Sequence, residues 1–246
     1  MSKDAEPTPY DLEPTIDKPD LPGDVIVRES IDETLGALSL DLLLHAHNCV
    51  RTFGDFHFCL SGEASVEPAL LRLLTDPATR DLPWRRTHLW LFSERLAEPI
   101  EYDLIHETIA IHADLPGEQI HAIDTAHEDI AARYERELRE TLAWREKGHD
   151  RLDYALLTPG SVPVDWAGDD DDEEDALVRT FTERIACTRR LINATRLIAV
   201  LAADAPARAE IEQATQRDHP LAALKPIGGA LRWYLDAGTP PHSAGA

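Results

Sequence analysis

Apolar residues fall along this chain in short blocks whose period switches repeatedly between two and about 3.6 residues. Val25-Ile26-Val27 predicts a brief strand. After it, Ser30 or Asp32 stands where a helix cap belongs, and Leu35, Leu38, Leu42 and Leu43 recur at helical spacing. His57-Phe58-Cys59-Leu60 predicts a second strand that runs through Ser61-Gly62 into Ala69, Leu70, Leu73 and Leu74, again at helical spacing. Trp84-Arg85-Arg86 leads into Thr87 to Phe92, a third strand of aromatic and β-branched character. A helix is expected from Asp103 to His112, and a long amphipathic one from Ala126 to Trp144 with Ile130, Tyr134, Leu138 and Leu142 on one stripe.

Leu152 to Leu157 predicts the fourth strand, Thr180 to Cys187 alternates like another, and Leu191 to Ala194 suits a short helix. Leu197-Ile198-Ala199-Val200-Leu201-Ala202 is apolar without interruption, the pattern of a strand covered on both faces in a parallel sheet. A surface helix over Ala205 to Gln216 and a closing strand over Leu231 to Leu235 complete the series. Strands alternating with helices require crossover connections, so the expected fold is α/β, a doubly wound, mainly parallel sheet with helices on both faces.

Composition narrows the function. With 46 acidic and 24 basic residues in 246, the formal charge is −22, which repels polyanions and argues against nucleic acid or an anionic membrane as partner. Much of the excess is local. Residues 1–24 carry seven acids, two bases and five prolines, and read as an extended acidic arm. Asp169 to Asp175 is an unbroken acidic run; it lacks the alternating ligands and glycine turn of a calcium loop, so it reads as a solvated loop, and no metal is expected. The expected organisation is the arm, one domain over 25–238, and a tail over 239–246. Cys49, Cys59 and Cys187 are few and scattered, the first 25 residues do not resemble a secretory signal, and no apolar run suits a membrane span. A reduced, cytoplasmic setting is the expectation.

In a doubly wound sheet, ligands meet the carboxyl ends of the strands. Two such ends carry suitable residues: Ser61-Gly62-Glu63-Ala64-Ser65, a small-residue loop able to offer N–H groups and hydroxyls to a phosphate, and Ser93-Glu94-Arg95, whose guanidinium can clamp one. The candidate phosphate or ligand residues are therefore Ser61, Gly62, Ser65 and Arg95. The plain alternative for the first loop is a turn with a helix cap, and for Arg95 a structural ion pair.

These segments resemble the 6-phosphogluconolactonases, relatives of glucosamine-6-phosphate deaminase. In that family a strand ends in S-G-G-S-T-P and a later P-W precedes a strand ending in D-E-R; here stand Ser61-Gly62-Glu63-Ala64-Ser65, Pro83-Trp84 and Ser93-Glu94-Arg95. Leu115 to His121, Cys187 to Arg196 and Trp233 to Asp236 resemble further family segments, so the likeness covers roughly residues 25–238. The resemblance implies the fold above, a sugar phosphate as ligand and no cofactor. The family's G-x-G-x-D-G-H-x-A-S signature supplies a water-activating histidine, but Leu157 to Trp166 here contains no histidine and two prolines. Ser93 stands for the family's aspartate and Glu63 for its second glycine.

Substitute bases are poorly marked. His106 follows Arg95 most closely, but suits a partly buried helical histidine; His45 and His47 lie on the first helix without a motif; nothing aims Asp165 at a substrate. Glu94 is expected to have its pKa lowered by pairing with a neighbouring base. No catalytic residue is assigned. The expectation is a sugar-phosphate-binding homologue with weak or no lactonase activity. The alternatives are an active 6-phosphogluconolactonase with a replacement base and a non-catalytic protein whose acidic arm or loop binds a basic protein partner.

Overall fold

The computed structural model describes residues 18–147, 150–166, 175–214 and 219–237. Nearly all of the expected arm, the run 169–174 and the tail lie outside these. The strands are β1 (Asp24–Arg28), β2 (Phe56–Leu60), β3 (Thr87–Leu91), β4 (Ser93–Arg95), β5 (Ile120–His121), β6 (Tyr154–Leu157), β7 (Val178–Thr180), β8 (Arg184–Cys187), β9 (Leu197–Ala202) and β10 (Ala230–Asp236). The helices are α1 (Ile31–Phe53), α2 (Glu67–Thr75), α3 (Glu101–Ile105), α4 (Ile130–Leu142), α5 (Arg189–Asn193) and α6 (Ala205–Gln213).

Seven strands form one sheet in the order β1-β10-β9-β6-β2-β3-β5, every pairing parallel. The fold is the expected doubly wound α/β architecture, with helices on both faces. Every residue of β2, β6 and β9 is buried, which accounts for their unbroken apolar runs; each leucine fully buried there contributes roughly 1.5–3 kcal/mol. From β2 the chain steps outward to β3 and β5, then returns to lay β6 on the other side of β2. The boundary between β2 and β6 is thus a topological switch point, the place where doubly wound sheets open a ligand crevice outside the strand ends.

Helix α1 begins as its sequence directs. The Ser30 hydroxyl accepts from the Glu33 N–H at 3.3 Å, and the helix ends at Gly54, whose φ of 96° lets its N–H reach the Val50 carbonyl at 2.9 Å. Its stripe of Leu35, Leu38, Leu42 and Ala46 packs into the core. The long helix is shorter than expected, Ile130 to Leu142, with Tyr134, Leu138 and Leu142 buried. The stretch after Arg95 is a single α-turn, α3, running into a π-helical turn over His106–Ala110.

Two expectations are corrected. Ser93-Glu94-Arg95 is not merely the end of the third strand but a separate strand, β4, and Thr180 to Cys187 is not one strand: β7 and β8 form a hairpin. Together they build a second, antiparallel sheet in the order β4-β8-β7. It is hung from the main sheet by the Cys187 N–H, which donates to the Phe92 carbonyl at 2.9 Å. Strands of three polar-rich residues carry too little periodicity to announce themselves. Among the described residues no helix is long and apolar enough to cross a membrane, and Cys49, Cys59 and Cys187 are free and buried.

Candidate functional site

The carboxyl ends of β2, β3 and β6 lie side by side. The Ser61 N–H donates to the Leu156 carbonyl at 3.0 Å and the Phe92 N–H to the Leu60 carbonyl at 2.8 Å, so the ladder persists to the mouth of the crevice. Ser61 is fully buried, its hydroxyl 3.4 Å from that of Thr158. Gly62 is buried against α3; a Cβ there would lie 2.4 Å from the Glu101 Cβ and 2.5 Å from its carbonyl oxygen. Ser65 is half-buried on the turn Ala64–Val66 that leads into α2. Arg95 closes β4 with its side chain 47% exposed.

Arg95 stands directly opposite Arg184 across the antiparallel β4–β8 pairing. Two guanidiniums on one face of a ladder repel each other, so the arrangement needs counter-charge. Two carboxylates supply it. Glu101 lies 3.4 Å from Arg95 Nε, and Glu63 lies 3.8 Å from Arg184. Thr158 Oγ1 donates to Glu63 Oε2 at 3.1 Å, and Gly160 leaves room for that same oxygen. Burial raises the Glu63 pKa, the Thr158 hydroxyl and both arginines working against the rise. A carboxylate at Glu63 thus faces the crevice, as its place in the loop suggests, and is paired rather than bare.

Glu94 behaves contrary to expectation. It is buried, and its oxygens accept the N–H groups of Glu101 (3.1 Å) and Tyr102 (2.9 Å), capping α3. Its pKa is pushed up to about 7, by burial first and by the adjacent Glu101 next, whereas pairing with a base would have lowered it. Glu101 Oε1 has no hydrogen-bond donor despite its proximity to Arg95 Nε. Of the other candidate bases, His106 is half-buried and stacks on Tyr102 at 5.4 Å, and His45 on α1 bonds the Asp153 carbonyl at 3.0 Å. His47 is exposed on the same helix, and Asp165 is exposed and accepts from Thr182 at 3.3 Å. Among the described residues no hydrogen bond or ion pair joins a histidine to Ser61, Glu63, Glu94, Arg95, Glu101, Thr158 or Arg184.

Sequence reading missed Glu101, Thr158 and Arg184. Glu101 follows Arg95 closely, but only the packing of α3 on Gly62 brings its carboxylate back. Arg184 joins through a strand pairing that leaves no local signal.

The histidines gather instead at the amino ends of the strands. His57, His88 and His121 each occupy the second position of β2, β3 and β5. His88 Nδ1 lies 3.0 Å from His121 Nε2, His121 Nδ1 donates to Glu137 at 2.6 Å, and His57 Nε2 lies 3.1 Å from Asp55. The ligating atoms of Asp55, His57 and His88 all fall within 4.8 Å of one another, a spacing compatible with a metal ion. The chemistry is less suitable. The Trp90 indole, which can only donate, reaches His57 Nδ1 at 3.0 Å, so the ring proton sits on Nε2 and no lone pair faces Asp55. Arg145 holds the other Asp55 oxygen at 2.5 Å. The group is better described as a hydrogen-bonded relay than as a ligand set.

Burial lowers the pKa values of His45, His57 and His88, that of His88 to about 4, where His57 and His121 add to the effect. At these three sites the unfolded chain therefore binds more protons than the folded one below an ordinary histidine pKa of about 6.5, whereas Glu94 and Glu63, raised by burial, act in the opposite direction. The stability that the uncharged histidines contribute is expected to be lost as pH drops from 6.5 toward 4. Denaturation midpoints over this range should flatten in His88→Gln, and an unchanged slope would exclude His88 as a source.

A sequence model described as glucosamine-6-phosphate isomerases/6-phosphogluconolactonase matches residues 29–161. The human GDH/6PGL endoplasmic bifunctional protein is 28% identical over 232 residues, covering 83% of this chain but 28% of that protein; its rabbit counterpart is 27% identical over 233. The chain thus spans little more than a quarter of these relatives' length. Among solved structures, a devB protein superposes with a TM-score of 0.70 at 23% identity, covering 87% of this chain and 96% of that one. The 6-phosphogluconolactonase from Trypanosoma cruzi gives 0.69 at 17%, covering 89% and 96%. At such identities the superpositions establish the fold, while the sequence match extends over more than half of the chain. The chain belongs to the glucosamine-6-phosphate isomerase/6-phosphogluconolactonase family.

Proposed function

We propose that this chain is a divergent 6-phosphogluconolactonase-like protein that binds a sugar phosphate at the β2–β6 crevice and has weak or no lactonase activity. One observation carries the reading: two guanidiniums, Arg95 and Arg184, stand opposite each other beside these strand ends, while no described histidine is hydrogen-bonded or ion-paired to the residues around them. General-base attack by water needs a group within hydrogen-bond reach and with a usable pKa. Glu94 meets the second condition, near 7, but is buried with both oxygens occupied by the N–H groups of α3. Arg95 is the candidate for direct phosphate contact. In this reading Ser61 steadies Thr158, Gly62 seats the loop on α3, and Ser65 lies at the outer turn. The buried free thiols accord with a reduced, cytoplasmic setting.

The test has two arms. Hydrolysis of 6-phosphogluconolactone by the purified chain is expected to stay near the spontaneous rate; a large acceleration would refute the loss of catalysis. Titration with 6-phosphogluconate should show Arg95→Ala binding about tenfold more weakly than wild type, the lower end of the range for hydrogen bonds to charged groups, because Arg95 is half-exposed and screened. Equal affinities would remove Arg95 from the site.

A further inference from the structure

The two arginines at the crevice mouth are matched from within the chain, and the two matches differ. Glu101 is held by α3, with its side chain 1% exposed and its position fixed by the contact with Gly62. Glu63 comes from the loop after β2 and reaches across the switch point to β6. Its side chain remains 17% exposed, and it receives one hydrogen bond, from Thr158, besides the longer approach to Arg184. Arg184 has a second tie that does not involve charge, donating to the Ser161 carbonyl at 3.0 Å, so it stays in place if Glu63 departs. The Glu63 carboxylate therefore has the partners that an incoming oxyanion would use: a hydroxyl donor, one guanidinium within 4 Å and the field of a second. It lies where a ligand is expected in a doubly wound sheet.

We propose that Glu63 is a built-in occupant of the Arg95–Arg184 pair, so that a tetrahedral oxyanion enters the crevice only as the Glu63 carboxylate withdraws or takes up a proton. The inference rests on the reading of the crevice as an anion site and adds its control. A dianion approaching Arg184 with Glu63 still charged and in place meets a like charge at contact distance, which cancels the gain from one arginine. Removing that charge frees Arg184 to take an oxyanion beside Arg95, which Glu101 still balances. The groups facing Glu63 are Thr158 and Gly160 from the loop after β6, Arg184 from β8, Arg95 from β4 and Glu101 from α3, with Glu94 behind the last. Because burial holds Glu63 above its ordinary range, mild acid relieves the competition sooner than for a surface glutamate.

The experiment is calorimetric titration of the full chain with inorganic phosphate and with sulfate. At pH 8, Glu63→Gln keeps the size of the side chain and its contact with Thr158, and is expected to bind either anion about tenfold more tightly than wild type, the scale set by losing one charge beside a bound dianion. Adding Arg184→Met to Glu63→Gln should abolish the gain. With sulfate, which stays dianionic throughout, the difference between Glu63→Gln and wild type should shrink from pH 8 to pH 5. Should Glu63→Gln melt below the assay temperature, Glu63→Ser takes its place with the same expectations.

Equal affinities of wild type and variant at pH 8, or a gain that survives loss of Arg184, would overturn the proposal. A parallel titration with 6-phosphogluconate separates the two ideas. If Glu63→Gln gains nothing while wild type binds the sugar phosphate through Arg95, the built-in occupant is wrong and the sugar-phosphate site stands. If Glu63→Gln gains phosphate affinity while no form binds 6-phosphogluconate, the occupant stands and the sugar-phosphate reading falls.

Discussion

Replacing Asp153 by alanine is expected to destabilise the fold by about 3–5 kcal/mol, the cost of breaking a buried ion pair from one side. Asp153 is fully buried just before β6, at the end of the sheet remote from the crevice. It accepts from Arg145 at 2.9 and 2.8 Å, from Arg196 at 3.0 Å and from the His57 N–H at 2.8 Å. Arg145, its side chain 1% exposed, is held between Asp153 and Asp55. Burial alone would raise the Asp55 pKa, but His57 and Arg145 outweigh it and hold that carboxyl below its ordinary range. Deleting Asp153 leaves two guanidiniums and a main-chain N–H without their shared acceptor. For a chain of this size the loss corresponds to a fall in melting temperature of roughly 10 °C. A fall of only 2 °C would mean that solvent or relaxation replaces the carboxylate. Asp153→Asn, which keeps the shape, should cost less.

The second large effect is expected at the crevice itself. Gly62→Ala introduces a methyl that would lie 2.4–2.6 Å from the Cβ, carbonyl oxygen and Cα of Glu101. Two of those atoms are backbone, so no side-chain rotation relieves the contact, and α3 must move. Overpacking of this kind costs about 1–3 kcal/mol, and displacing α3 also pulls the Glu101 and Tyr102 N–H groups away from Glu94. Urea denaturation would measure the cost, and the Glu94 titration should shift with it. The φ of Gly62 lies outside the left-handed region, so an alanine tolerated without loss would show that α3 is loosely seated.

Much of the architecture was legible because parallel strands buried on both faces must be apolar throughout. Leu197 to Ala202 could be placed in the middle of a sheet from six letters, and Ser30 announced α1 through its side-chain oxygen. The second sheet was not legible. Ser93-Glu94-Arg95 has no period to read, and its partner strand lies far along the chain, so the juxtaposition of Arg95 with Arg184 exists only after folding. The same reason hid the cap formed by Glu94, because a carboxylate beside an arginine suggests an ion pair until the start of α3 arrives over it. Ser61, Gly62 and Arg95 were singled out by the rule that ligands meet strand ends, yet that rule does not say which atoms face the opening. The histidine relay had a signal that went unread: the second residue of β2 and of β3 is the same amino acid.

The margins of the seven-stranded sheet also shape how the molecule behaves in company. One margin, β5, is two residues long, and its His121 is tied to Glu137 on the neighbouring helix. A chain arriving from another molecule finds almost no free ladder to extend there. With a net charge of −22 adding mutual repulsion, concentrated solutions should resist strand addition at this margin.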